Sequence, residues 1–167
     1  MDTVGKKYIV GNVSDDDNDD LRNRQVRCKS STEVVVAKRA KENGDAEKWR
    51  IHPDPPYDPN NPDAIPDKLY FSSYKYDSPQ AYLGRNSDIA DLQTNITWFV
   101  PEPIEGEDEV YFLYLLDYPE KYLTMQDPHG SKEIEFQAKI GDDNMPRQKQ
   151  KWKFVKADSL QGGNPNA

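Results

Sequence analysis

A chain of 167 residues is about the size of one globular domain, and its ten Tyr, five Phe and three Trp residues provide the bulky side chains that disordered chains lack. The formal net charge of −8 disfavours nucleic acids and anionic membranes as partners, since both would be repelled by the field of the protein. We therefore expect a folded chain that binds neither nucleic acid nor membranes.

The cysteine content and the first residues bear on the cellular location. Cys28 is the only cysteine, so an intrachain disulfide is excluded. The opening segment MDTVGKKYIV has no apolar run long enough for a secretory signal, and no stretch approaches the roughly 20 apolar residues that span a bilayer. These features predict a cytoplasmic protein, with non-classical export left open.

In chain order, the same features occur three times: a Tyr-containing strand, two shorter strands, and a strand that begins near a tryptophan. The predicted first strands are residues 7–10, 69–71 and 110–113. The second strands are residues 24–28, 81–84 and 121–124, and the third strands are residues 33–37, 89–92 and 133–138. Trp49, Trp98 and Trp152 are nearly evenly spaced along the chain. We expect them to be equivalent, largely buried positions on the fourth strands.

Twelve short strands in three sets of four predict an all-β fold. We favour a β-trefoil, in which six strands close into a barrel and three hairpins cap it, because closure removes most of the exposed sheet edge. The predicted domain is residues 1–160, with pseudo-repeats at about residues 5–53, 67–102 and 107–157 and a disordered tail at residues 161–167. A β-sandwich is the alternative left open.

Two polar segments are predicted to be loops. Residues 14–20, SDDDNDD, carry too much charge for a packed strand, and residues 53–67 have Pro at nearly every third position. The acidic run lacks the Gly and the terminal Glu of the helix-flanked calcium loop, so we expect a solvated loop and no metal site.

The residues that could perform catalysis are few. Cys28, His52 and His129 have no local signature of a nucleophile or a base around them, and one Cys with two distant His does not make a zinc site. We therefore expect a binding protein without a cofactor rather than an enzyme.

The sequence resembles mushroom β-trefoil proteins. The resemblance rests on Gly5, Tyr8, Val10 and Asn12 in a G-x-x-Y-x-I/V-x-N pattern, on the YLGR of residues 82–85, and on the three Trp strands. That group includes small serine-protease inhibitors, the mycocypin inhibitors of cysteine proteases, and ricin-B-like lectins. The resemblance implies a β-trefoil that binds a protein or a sugar.

A trypsin-like inhibitor would present Lys or Arg on an exposed, extended loop to the acidic specificity pocket of the protease. Two loops offer such a residue. The first contains Arg27, Lys29 and Ser30, and the second contains Arg147 and Gln148 after a stiffening Pro. For a cysteine protease, the Pro-rich residues 53–66 would be the corresponding loop.

A ricin-B-like lectin would carry a Q-x-W pattern near the end of each unit, with an upstream Asp and a ring that stacks on the sugar. Only Gln150 and Trp152 keep the pattern, so these two residues are the sugar-binding candidates. Exposed rings for stacking would come from Tyr57, Tyr74, Tyr76 and Tyr118.

The functional prediction is therefore a monomeric protease inhibitor that inserts a surface loop into an active site, with a trypsin-like target favoured. The alternative is a carbohydrate-binding lectin whose partners are glycans. A storage or protein-interaction trefoil with neither activity also stays open, because the scaffold alone implies no function.

Overall fold

A computed structural model describes residues 2–13, 25–37, 44–126, 132–141 and 145–157. The acidic run of residues 14–20, His129 and the tail of residues 161–167 lie outside these ranges, so the predictions made for them are unaffected by the structure. In the described part of the chain, no helix is long and apolar enough to cross a membrane.

The described residues form twelve strands and two helical turns. The strands are β1 (Tyr8–Asn12), β2 (Gln25–Cys28), β3 (Val34–Ala37), β4 (Trp49–Asp54), β5 (Lys68–Asp77), β6 (Gln80–Asn86), β7 (Ile89–Gln93), β8 (Phe99–Ile104), β9 (Glu107–Leu115), β10 (Tyr122–Met125), β11 (Lys132–Gln137) and β12 (Trp152–Lys156). A 3₁₀ turn spans Asp45–Glu47, and the short helix α1 spans Met145–Gln148.

Six strands close into a barrel. The antiparallel pairs run β1–β4, β4–β5, β5–β8, β8–β9, β9–β12 and β12–β1, which returns to the starting strand. The remaining six strands form the hairpins β2–β3, β6–β7 and β10–β11. These hairpins contact one another through β3–β11, β7–β11 and a bridge between Glu33 and Asp91. This topology is a β-trefoil with three four-strand units, which confirms the predicted fold class.

The strand register identifies equivalent residues in the three units. The first and fourth strands of each unit are paired at an equivalent position: Tyr8 with Trp49, Leu69 with Phe99, and Tyr111 with Trp152. The equivalence extends to the neighbours of these residues. Tyr70 therefore corresponds to Phe112, His52 to Glu102, and Tyr82 to Tyr122.

The core is built mainly from aromatic rings. Phe71 packs at 5.4 Å from Phe99 and at 5.6 Å from Phe154, measured between ring centroids, and Phe99 lies 6.1 Å from Phe136. These rings come from the second and third units and from both barrel and cap. Because such large side chains fill the interior, the barrel is a packed core.

One tryptophan departs from the predicted pattern. Trp49 and Trp152 are fully buried at the first position of β4 and β12. Trp98 is only half-buried and precedes β8, because Phe99 occupies the equivalent core position. The prediction of three equivalent tryptophans is therefore wrong for Trp98: adjacent residues of an extended chain face opposite sides, and only one of the two aromatics can enter the core.

Cys28 lies in the core with its Sγ 3.6 Å from the Ser73 Oγ. Burial of the thiol is the main reason that its pKa is raised to about 11. We expect the folded protein to react negligibly with a disulfide reagent at about pH 8, because the thiolate is the reactive species and is scarce there. The same reagent should label Cys28 rapidly in concentrated guanidinium chloride. Rapid labelling without denaturant would contradict the buried position.

Candidate functional site

The outer face of the barrel between β4 and β5 carries an unusual set of side chains. Ile51 and Phe71 are paired across the two strands and face the core. The next pair, His52 and Tyr70, therefore faces the outside, because side chains alternate along a strand. This alternation brings two rings to the surface of one strand pair.

Four side chains meet at this position, which we call the Tyr70 cluster: His52, Tyr70, Tyr82 and Trp98. His52 stacks on Tyr70 with ring centroids 4.3 Å apart and an interplanar angle of 12°. Tyr82 and Trp98 meet Tyr70 nearly at right angles, at 5.7 Å and 5.1 Å. All four are half-buried, so the cluster is held in place by mutual contacts and still exposes aromatic surface.

A charged pair borders the cluster. The Lys68 ammonium lies 4.3 Å from the ring centroid of Trp98 and 3.7 Å from a carboxylate oxygen of Asp54. Asp54 is exposed and Lys68 is half-buried. The edge of the aromatic surface thus offers both a hydrogen-bond donor and an acceptor to a ligand.

The side chains of His52 and Tyr70 are both uncharged at pH 7. Burial, and secondarily the nearby Arg50, lowers the pKa of His52 below its ordinary value, so the ring is neutral at pH 7. Burial and the adjacent Tyr82 raise the pKa of Tyr70, so its hydroxyl stays protonated. The two side chains therefore offer hydrogen bonds without adding charge.

The equivalent position in the third unit is closed. Phe112 takes the place of Tyr70, and the cations of Lys139 and Arg147 each lie 5.0 Å from its ring centroid. Phe112 is 2% exposed, and Tyr122, which corresponds to Tyr82, is buried as well. The rings at this position of the third unit are thus buried, whereas Tyr70, Tyr82 and Trp98 stay half-buried even though Lys68 lies over one face of Trp98.

This arrangement suits a ligand with both an apolar face and hydroxyl groups. Exposed rings can pack against C–H groups, and the tyrosine hydroxyls, Lys68 and Asp54 can hydrogen-bond to polar substituents.

The cluster also contains a contact between a serine and a histidine. His52 Nε2 lies 2.7 Å from the Ser72 Oγ, which is the only Ser–His pair among the described contacts of the cluster. Ser72 is 2% exposed, so its oxygen cannot reach a substrate. Within the described residues, no group of three or more His, Cys, Asp or Glu side chains is arranged to hold a metal ion.

The first predicted protease-binding loop is a tight turn between β2 and β3. The Lys29 amide donates to the Glu33 carbonyl at 2.8 Å, and the Ser30 Oγ accepts hydrogen bonds from the Thr32 and Glu33 amides. The Lys29 ammonium lies 3.6 Å from the Glu33 carboxylate, and Arg27 is 3.6 Å from buried Glu47. The turn is exposed, but its backbone bonds to itself and does not form the extended segment that an inhibitory loop needs.

The second predicted loop contains a helical turn. Arg147 and Gln148 belong to α1 and are half-buried, and the Arg147 guanidinium lies over the ring of Phe112. Arg147 therefore points onto the barrel rather than outward toward a partner.

The two predicted sugar contacts are buried. Gln150 is 0% exposed and bonds to the Ile140 amide, the Thr124 Oγ1 and the Ala138 carbonyl. Trp152 is also 0% exposed, and its Nε1 donates to the Leu123 carbonyl at 2.9 Å. Neither side chain reaches solvent, so the prediction that Gln150 and Trp152 contact a sugar is wrong in this structure. Both side chains hold the third unit together.

The Tyr70 cluster was not among the predicted sites. From the sequence, Tyr70 and Tyr82 are predicted strand residues, Tyr82 also belongs to the YLGR of the family resemblance, and Trp98 is predicted to lie in the core. The signal in the sequence is the Trp98–Phe99 doublet, in which only one ring can face inward. Which of the two rings faces inward can be decided only when the register of β8 is known.

The comparisons with known proteins agree on the fold. No protein-family model and no curated protein matches the chain. Among solved structures, Cry35Ab1 matches with 17% identity and a TM-score of 0.58 over 93% of this chain, which spans 36% of Cry35Ab1. The Rhizoctonia solani agglutinin matches with 13% identity and a TM-score of 0.58 over 90% of this chain and 94% of its own.

A designed threefold-symmetric protein, ThreeFoil, matches with 13% identity and a TM-score of 0.54 over 89% of this chain and 97% of its own. The matches to the agglutinin and to ThreeFoil cover nearly the whole of each chain, and ThreeFoil has the threefold symmetry that the strand register of this chain approximates. At these identities the likeness establishes architecture and leaves the ligand open. The resemblance to mushroom trefoils is accordingly supported at the level of the fold: this chain is a β-trefoil.

Proposed function

We propose that this protein binds carbohydrate, and that the Tyr70 cluster is its saccharide site. The observation that carries the proposal is the open aromatic surface formed by Tyr70, Tyr82 and Trp98, bordered by Asp54 and Lys68. At the equivalent position of the third unit, Phe112 and Tyr122 are buried, with the cations of Lys139 and Arg147 over the Phe112 ring. A half-exposed ring with donors and acceptors at its edge is suited to the mixed apolar and polar surface of a sugar.

Two further points support carbohydrate over protease binding. A structural neighbour that covers most of this chain, the Rhizoctonia solani agglutinin, is a fungal β-trefoil lectin. The basic residues predicted to enter a protease, Lys29 and Arg147, lie in a self-bonded turn and against the ring of Phe112, respectively. Protease inhibition stays a prediction with weaker geometric support.

A glycan array on the wild-type protein, followed by calorimetry on the best ligand, tests the proposal. We expect Trp98→Ala and Tyr70→Ala each to weaken binding by about 10- to 100-fold, because stacked aromatic anchors contribute much of the energy of a site. Tyr76→Ala is the control: Tyr76 is also half-buried and lies six residues further along β5, but its ring packs against the core and is not part of the Tyr70 cluster.

Two outcomes would overturn the proposal. The first is full-strength binding by both Trp98→Ala and Tyr70→Ala, provided that both variants keep the wild-type circular dichroism spectrum. The second is an array without any bound glycan beside stoichiometric inhibition of trypsin that is lost in Lys29→Ala. The latter result would return the function to the inhibitor hypothesis.

A further inference from the structure

Three cations surround one tyrosine ring on the same outer face of β4 and β5. The Lys7 ammonium lies 4.1 Å from the ring centroid of Tyr74, the Arg50 guanidinium lies 5.0 Å from it, and the Lys48 ammonium lies 5.8 Å from it. All four side chains are half-buried. We call this group the Tyr74 patch.

The positive charge of the Tyr74 patch is only partly compensated. Lys48 lies 3.6 Å from a carboxylate oxygen of Asp45, while the described residues provide no ion pair to Lys7 or Arg50. The patch is therefore locally basic on a chain whose net charge is −8. Since exposed charges further away than about 8 Å are largely screened at physiological salt, the local charges decide what binds there.

The Tyr74 patch adjoins the Tyr70 cluster. The Tyr74 amide bonds to the Lys48 carbonyl, Arg50 is paired with Ser72, and His52 is paired with Tyr70. Arg50 and His52 are two residues apart on β4, which corresponds to a distance of about 7 Å between successive outward side chains. Cations and open rings thus lie side by side on one continuous surface.

We propose that the saccharide is anionic: its ring packs on the Tyr70 cluster while a carboxylate or sulfate group binds between Lys7 and Arg50 of the Tyr74 patch. Arginine can bind a carboxylate or a sulfate through two parallel hydrogen bonds, and a lysine adds a point charge. This inference rests on the proposed function and specifies its ligand class. A neutral sugar would leave the cations of the patch unused.

The probes are tetragalacturonate, its neutral methyl ester, and a sulfated galactose tetrasaccharide without carboxylates, each titrated by calorimetry. We expect the two acidic probes to bind at least tenfold more tightly than the methyl ester, with affinity falling as sodium chloride rises from about 0.01 M to about 0.15 M. The ratio between the two acidic probes distinguishes a carboxylate ligand from a sulfate ligand.

Charge variants locate the contact. Arg50→Gln and Lys7→Gln should each weaken binding of the acidic probes about tenfold and leave binding of the methyl ester, or of any neutral array ligand, unchanged. Lys29→Gln removes the same charge from the exposed β2–β3 turn and should change nothing. Trp98→Ala should weaken acidic and neutral ligands alike.

The outcomes separate the two proposals. Equal affinity for acidic and neutral probes, with loss of both in Trp98→Ala, refutes the anionic ligand and keeps the saccharide site. Binding of acidic probes that depends on Arg50 but not on Trp98 keeps the anion site and refutes the saccharide site. Acidic probes that bind Arg50→Gln and Lys7→Gln as well as the wild type refute the Tyr74 patch as the contact.

Discussion

Replacing Trp49 or Trp152 with alanine is expected to lower the free energy of unfolding by about 3–5 kcal/mol each. Both side chains are 0% exposed, and each Nε1 donates a hydrogen bond across its own unit, to the Val26 carbonyl at 3.1 Å and to the Leu123 carbonyl at 2.9 Å. Alanine would leave a large cavity and an unpaired carbonyl oxygen in the core. Such a cost is a large part of the 5–15 kcal/mol that stabilises a typical domain, so these variants should unfold early in urea or fail to accumulate.

Trp98→Ala is the matched control for this prediction. Its ring is half-buried on the outside of the barrel, so we expect a loss of about 1 kcal/mol in the same urea titration. Phe99→Ala should behave like the two buried tryptophans, because Phe99 is 0% exposed at the equivalent core position. A Trp98 variant that is as unstable as the Trp49 variant would contradict the assigned register of β8.

Replacing Gln150 with alanine is expected to cost about 2–4 kcal/mol of unfolding free energy. Its side chain is fully buried and bonds to the Ile140 amide, the Thr124 Oγ1 and the Ala138 carbonyl, and buried polar groups that lose their partner cost about 1–3 kcal/mol each. The midpoint of urea denaturation measures the loss. Binding of any glycan to the folded fraction should be unaffected, because the role of Gln150 is structural.

Gln148→Ala serves as the comparison. Gln148 is half-buried in α1, where alanine is also the better helix former, so its removal should shift stability by less than about 0.5 kcal/mol. If Gln150→Ala proved as stable as Gln148→Ala but no longer bound glycans, Gln150 would have to be assigned to the binding site after all.

The strand pattern was predictable because it depends on local physical chemistry. Short runs rich in Tyr, Val and Ile, separated by Pro, Asn, Asp and Gly, mark strands and turns directly. Even the weakly marked β7 (Ile89–Gln93) lies where its short apolar run predicted it. The threefold recurrence of these runs then left the β-trefoil as the favoured closed architecture.

The predicted site residues depend on a different kind of information. Lys29 and Arg147 are basic residues beside turns. The residues of a turn do not by themselves show whether its backbone is extended or hydrogen-bonded within the turn. The Ser30 Oγ closes the first turn, and the ring of Phe112 holds Arg147 against the barrel. Gln150 and Trp152 match a lectin pattern whose residues serve the packing of the unit.

The sequence by itself determined the number of strands, their order and the three-unit repeat, since these follow from local propensity and from turn residues. Only the tertiary structure decided which side chains share a surface. A one-residue shift in register turns every side chain of a strand to the other face, so the choice between Trp98 and Phe99 for the core depends on the pairing of Leu69 with Phe99. The Tyr70 cluster joins β4, β5, β6 and the residue before β8 because barrel closure brings these segments together, and no local pattern encodes that closure.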